Sequence, residues 1–192
     1  MAIQQENDRY ASSDGIDRSI AAVSEVYDLS YLLNKYVDPK YWVYELQSCF
    51  SVEHIDNLTD FNYARCFTYA INEGGGKLSV RDSGFEEFVV NRGELNRVHV
   101  FISALAPYVV FKFVRYDYND GNLRMEAVKP GAGEWYKQMD FAIFEFCRRN
   151  DLLLISDNKL RETIKGMSLE LHGEQPSVFN FLFEDGASGF PY

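Results

Sequence analysis

The dipeptide Asp120-Gly121, set inside YVVFKFVRYDYNDGNLRMEAV (residues 108–128), constrains the fold more than any other feature of the chain. Asp and Gly tolerate the positive φ angles that a two-residue hairpin turn demands, and here they separate two runs rich in aromatic and branched residues. Antiparallel strands over 108–118 and 123–128 follow. Side chains alternate along a strand, so Tyr116 and Tyr118 share one sheet face, Asp117 lies on the other, and Asp120 sits in the turn. The tyrosine face is expected to be at least partly exposed. With 15 Phe, 13 Tyr and 2 Trp, the chain carries more aromatic surface than a small domain buries, and tyrosine is the ring most readily left at a surface.

The remaining pattern predicts an α+β single domain over 1–192. It is built on a largely antiparallel sheet of about six strands, with an N-terminal helix and C-terminal helices packed on it. Residues 1–15 read as a flexible lead and 186–192 as a tail. DRSIAAVSEVYDLSYLLNKY (17–36) places Ile20, Val23, Tyr27 and Tyr31 near helical spacing, and Pro39 ends that helix. YWVYELQSCFSVEHI (41–55) alternates Trp42, Tyr44, Leu46, Phe50 and Val52 against wetter positions and reads as a strand. NYARCFTYAINEGGGKLSVRD (62–82) reads as two strands joined at Gly74, Gly75 and Gly76, and SGFEEFVV (83–90) as another short strand. In 91–107, Leu95, Val98, Ile102 and Leu105 recur at helical spacing. The branched run Val98, Val100 and Ile102 favours a strand instead. Trp135, Met139, Ala142, Ile143 and Phe146 line one face of a helix over 134–149, with Arg148 and Arg149 complementing its C-terminal dipole. A short buried strand at 152–155, a helix capped by Ser156 or Asp157, and a helical turn in SVFNFLFED (177–185) complete the pattern.

Charge narrows the classes of partner. The net charge is −10. Residues 1–60 hold eleven acids against four bases, 61–165 hold fourteen against fifteen, and 166–192 hold four against none. Acidity at both ends disfavours nucleic acid and anionic membrane, which are recognised through Lys/Arg patches, and favours a basic protein reached by electrostatic steering. No apolar run approaches the roughly 18 residues of a membrane helix, and the polar start MAIQQENDRYASSDG is no signal peptide. A cytoplasmic location is expected. Cys49, Cys66 and Cys147, odd in number and widely spaced, read as reduced core residues.

No catalytic signature stands out. His54, His99 and His172 are scattered, without HExxH spacing or a Cys/His cluster. Gly74–Gly76 is no phosphate loop, because Lys77 is followed by Leu78 rather than by Ser or Thr opening a helix. Cys49 and His54 lie five apart, and Glu86 and Glu87 are adjacent. In strands both pairs point to opposite faces, so neither makes a catalytic couple. No residue is therefore assigned a catalytic, cofactor-binding or metal-binding role. The candidates are for partner binding: Tyr116, Asp117, Tyr118 and Asp120 on the hairpin, and Phe183, Glu184 and Asp185 near the C-terminus, where aromatic groups alternate with acids as in interface hot spots.

The segments EWYKQMDFAIFEFCRRNDLLLISDNKLRETI (134–164) and VFNFLFED (178–185) look most like the small immunity proteins that bacteria pair with secreted toxins. The resemblance covers about sixty residues, the C-terminal third of the chain, and carries over no functional residue. It implies a non-catalytic inhibitor, monomeric or homodimeric, that binds a cognate toxin domain and occludes its active site. A secretion chaperone or adaptor would share the acidity and the α+β pattern. A small-ligand receptor or an enzyme with a dispersed site would instead show a deep polar pocket joining a His to several carboxylates.

Overall fold

The computed structural model describes residues 9–25, 40–62, 64–129 and 133–185. The hairpin forms as its turn chemistry requires. Strand β4 (Tyr108–Asn119) turns back into β5 (Asn122–Ala127) in register Tyr118↔Leu123 and Tyr116↔Met125. Asp120 and Gly121 take φ of 52° and 79°, the left-handed pair that a two-residue turn needs.

Strands β1 (Asp56–Asn57), β2 (Cys66–Asn72) and β3 (Glu94–Ser103) extend the sheet in the order β1-β2-β3-β4-β5, all antiparallel. The sixth strand, β6 (Leu153–Leu154), pairs in parallel with the start of β4. A separate ribbon joins β7 (Ser168–Leu169) to β8 (Gly173–Glu174). The result is the expected α+β domain with a mostly antiparallel six-stranded sheet. The ambiguous segment around Val98–Ile102 is a strand, buried along nearly its whole length.

Both sheet faces are covered. On one, Val98, Val100, Ile102, Val109 and Phe113 pack against Trp42, Leu46 and Phe50 of helix α2 (Tyr41–Phe50) and Met139, Ile143 and Phe146 of helix α4 (Glu134–Asn150). On the other, Phe101, Tyr108 and Val110 meet Ile16 and Ile20 of α1 (Ser13–Glu25), Leu160 of α5 (Asp157–Leu160) and Phe179, Leu182 and Phe183 in and just after α6 (Val178–Leu182). A third, smaller cluster sets Phe85 and Val89 of α3 (Phe85–Arg92) against Leu95, Val114 and Tyr116.

Several expectations are corrected. Tyr41–Phe50 is a helix, not a strand. Trp42, Leu46 and Phe50 lie four apart, which satisfies a helical stripe as well as period two, and Tyr44, on the same face of any strand, is exposed. Residues 85–92 are also helical. Glu86 and Glu87 sit in the first turn and Arg92 in the last, and Gly93 at φ 87° donates its amide to Val89 and Val90 carbonyls to close the end. Glu73–Gly75 forms a 3-10 turn, and no strand follows at 77–80; Asn72 Nδ2 instead donates to the carbonyls of Gly76 (2.8 Å) and Leu78 (3.2 Å), pinning a loop.

Residues 9–15 are tied down rather than loose. The Ala11 amide donates to Leu154 O (2.8 Å), Leu154 donates to Arg9 O (2.9 Å), and α1 starts at Ser13. The rest of the expected lead, the continuation of the first helix over 26–36 and the tail at 186–192 lie outside the described residues. No helix among the described residues is long and apolar enough to cross a membrane.

Candidate functional site

Strand alternation puts Tyr116 and Tyr118 on one face of the hairpin, as expected, but the covering helix separates their fates. Phe85 of α3 meets the Tyr116 ring edge-on at 5.2 Å, and Tyr116 is only 7% exposed. Burial raises its hydroxyl pKa, partly offset by the Arg97 guanidinium beside it. Tyr118 lies two residues further along β4, and 38% of it reaches solvent. Met125, which the register places across from Tyr116, is 43% exposed on the same face. Leu123, opposite Tyr118, is half-buried beneath them. Tyr118 and Met125 are thus two exposed apolar side chains on the same face of the hairpin.

The opposite face of the hairpin is charged. Arg115 pairs with Glu126 and lies 4.0 Å from Glu94. Arg124 stands across from Asp117 in register and 3.3 Å from Asp120. Four carboxylates, Glu94, Asp117, Asp120 and Glu126, are matched there by two guanidiniums. The exposed Glu86 and Glu87 of α3 add two more acids on the covering helix. The tip is therefore apolar on one side with an acidic surround, the composition of an interface patch. Asp117 and Asp120 are solvent-accessible members of that surround.

The C-terminal candidates are placed differently. Phe183 is fully buried, stacked on Phe179 at 5.4 Å, and cannot reach a partner without opening the core. Asp185 is a fastener: its Oδ1 accepts from the amides of Leu171 (3.2 Å) and His172 (2.8 Å), and its other oxygen lies 3.7 Å from Arg65. Glu184 bridges to Ala64 through the backbone, and burial raises its carboxyl pKa. The expectation of a binding edge at Phe183–Asp185 thus gives way to a docked segment. The two candidate sets sit at opposite ends of β4, which its twelve residues separate by roughly 35 Å at about 3.3 Å each.

Between the two apolar clusters on one sheet face runs a polar seam. Arg97 is fully buried. Its Nη2 donates to Asp56 Oδ2 (2.7 Å), its Nε to Asn72 Oδ1 (2.6 Å), and its guanidinium lies 5.5 Å from the Phe85 ring centre. Beside it, burial, helped by Arg97, lowers His99 to about 3, so its imidazole is neutral at pH 7. Burial raises the Cys66 thiol pKa and pushes Cys147 up to about 12, away from the thiolate form that a nucleophile needs. Among the described residues, no three His, Cys, Asp or Glu come together as a metal site. The seam orders strands; it does not poise a proton for transfer near neutrality.

The sequence did not single out Met125 or Leu123. Their place was nevertheless fixed once the two-residue turn was recognised, because that turn sets cross-strand register. Compared with protein-family models, curated proteins and solved structures, the chain gives no match.

Proposed function

We propose that this protein is a non-catalytic, protein-binding inhibitor of the immunity-protein kind, and that the β4–β5 hairpin docks onto a basic, folded toxin domain. The observation that carries the reading is the exposed pair Tyr118 and Met125 at the free end of the sheet, with Asp117, Asp120 and Glu126 on the other side of the same two strands. The Tyr118 ring supplies contact area at low entropic cost, and the flexible Met125 thioether adapts to the surface it meets. The carboxylates around them steer a cationic partner and add little to its final affinity. The net charge of −10 gives the whole molecule the same bias.

Such an inhibitor acts stoichiometrically, by covering the toxin's active site. The test is to express the genes flanking this one in the source genome, with and without this protein, and to weigh any complex by light scattering. A toxic neighbour that forms a stable one-to-one complex with this chain supports the reading. An association rate that falls steeply with salt supports the steering part of it. Neighbours that are harmless, or that fail to bind, remove it.

A further inference from the structure

Strand β5 ends the sheet, and among the described residues no strand pairs with its far edge. Every residue of β5 except Leu123 is exposed. Its register with β4 runs without a bulge from Val114↔Ala127 to Asn119↔Asn122, and Asn122–Ala127 holds neither Pro nor Lys, two common guards of an open edge. One bond fixes which backbone groups face outward. Val128 N donates to Phe113 O (2.9 Å), and hydrogen-bonded pairs alternate along an antiparallel ladder. Glu126, Arg124 and Asn122 therefore turn their amides and carbonyls toward β4, whereas Ala127, Met125 and Leu123 turn theirs outward. No backbone group of the described residues bonds to them there.

The side chains on this edge fit a second copy of the same strand. Two β5 strands laid antiparallel about a twofold axis at Met125 set Met125 opposite its own image and Leu123 opposite Ala127, joined through the outward backbone groups. Between those pairs Arg124 falls opposite Glu126 of the other copy, in the non-hydrogen-bonded positions where side chains come closest. Charges then alternate in sign across four strands: Arg115 and Glu126 of one copy, then Arg124 and Asp117 of the other. On the opposite face Tyr116 and Met125 meet their own images in an apolar row. Neighbouring registers lack this match. An axis at Arg124 or at Glu126 brings like charges face to face, and an axis at Leu123 or at Ala127 sets Arg124 opposite Asn122 or Glu126 opposite Val128.

We propose that the outer edge of β5 is a self-association surface, which joins two copies of this chain into one continuous antiparallel sheet by β5–β5 pairing about Met125. Backbone bonds supply the affinity, as in other strand additions, and the exposed ion pairs, individually weak, select the register. The pairing leaves both faces of the hairpin uncovered and needs no toxin, so it stands or falls separately from the inhibitor reading. The test is sedimentation velocity on the full chain alone, from about 1 µM to about 1 mM, a range suited to a small interface, with thermal melts as fold controls. The parent should pass from monomer to dimer across it. Arg124→Glu and Glu126→Arg each set like charges across both symmetric pairs and should each weaken the dimer about tenfold. Mixed in equal amounts, the two variants face each other with opposite charges and should associate about as tightly as the parent. Ala127→Pro deletes an outward amide that β4 does not use and should weaken the dimer as well. The mixture changes only exposed side chains, so its result holds however Ala127→Pro folds. A parent that stays monomeric throughout, a dimer unaltered in all three variants, or a mixture no tighter than its components would each overturn the proposal.

Discussion

The Arg97–Asp56 pair has consequences larger than its size. Two charges taken out of water are costly, and the attraction between them repays that only while both are present. Asp56→Ala leaves Arg97 buried beside Asn72 with its charge uncompensated, and is expected to cost on the order of 3–5 kcal/mol in urea unfolding. Adding Arg97→Met should recover part of that loss, so the double variant should be more stable than the sum of the singles predicts. His99 sets a pH dependence of known sign. Unfolded, its imidazole titrates near the ordinary 6.5; folded, burial holds it to about 3. Between those values the unfolded chain binds the extra proton. The contribution is complete above pH 6.5 and is lost as pH falls, at about 1.4 kcal/mol per unit. Glu184 acts oppositely: burial raises its pKa, so its contribution is present at low pH and lost as pH rises through the folded value. Comparing His99→Gln with the parent cancels that term. The variant should lose about 2 kcal/mol less stability between pH 7 and pH 5, and identical pH profiles would show that His99 is not held neutral.

At the scale of elements, legibility followed the uniqueness of the local signal. The hairpin could be read because Asp-Gly has few alternatives, and α4 because seventeen residues with one apolar face and a basic C-terminus fit only a helix. α2 could not be read by spacing alone, since Trp42, Leu46 and Phe50 fit both periods. The deciding information was the poor β-propensity of Glu45 and Gln47 and the fate of Tyr44. A measurement separates the two geometries. Leu46→Ala should cost about 2–5 kcal/mol, while Tyr44→Ala, on the helix's wet side, should stay within about 0.5 kcal/mol; a strand would penalise both. In α3, SGFEEFVV reads as a strand in sequence, and the signals that win are electrostatic and terminal: Glu86-Glu87 at the start and Gly93 at the end. The turn itself can be tested. A Cβ on Gly121 meets nothing within 4 Å, so Gly121→Ala should lose about 1 kcal/mol from backbone strain at φ 79° alone, and an unchanged urea midpoint would contradict the turn geometry.

Over the whole molecule, the acidic C-terminal candidates turn out to be docked, whereas Tyr118 on the hairpin is exposed. Phe183 and Asp185 look like anchors in sequence because an aromatic next to an acid is what both a hot spot and a docked terminus contain. Which one results depends on whether Arg65 and the 171–172 amides are there to receive the acid, and no local pattern reveals that. Tyr116 was likewise hidden behind a helix that the sequence presented as a strand. Of the candidate residues, Tyr118 with its neighbour Met125 stays exposed on a charged frame, and the proposed inhibitor function rests on them. The most direct measurement is rescue of cells expressing the toxic neighbouring gene, comparing the parent protein with Tyr118→Arg, Met125→Arg and, as a control distant from the tip, Leu171→Arg. The parent and Leu171→Arg should restore growth, while either hairpin substitution should abolish rescue without lowering the melting temperature. Full rescue by both hairpin variants would contradict the assignment of this surface.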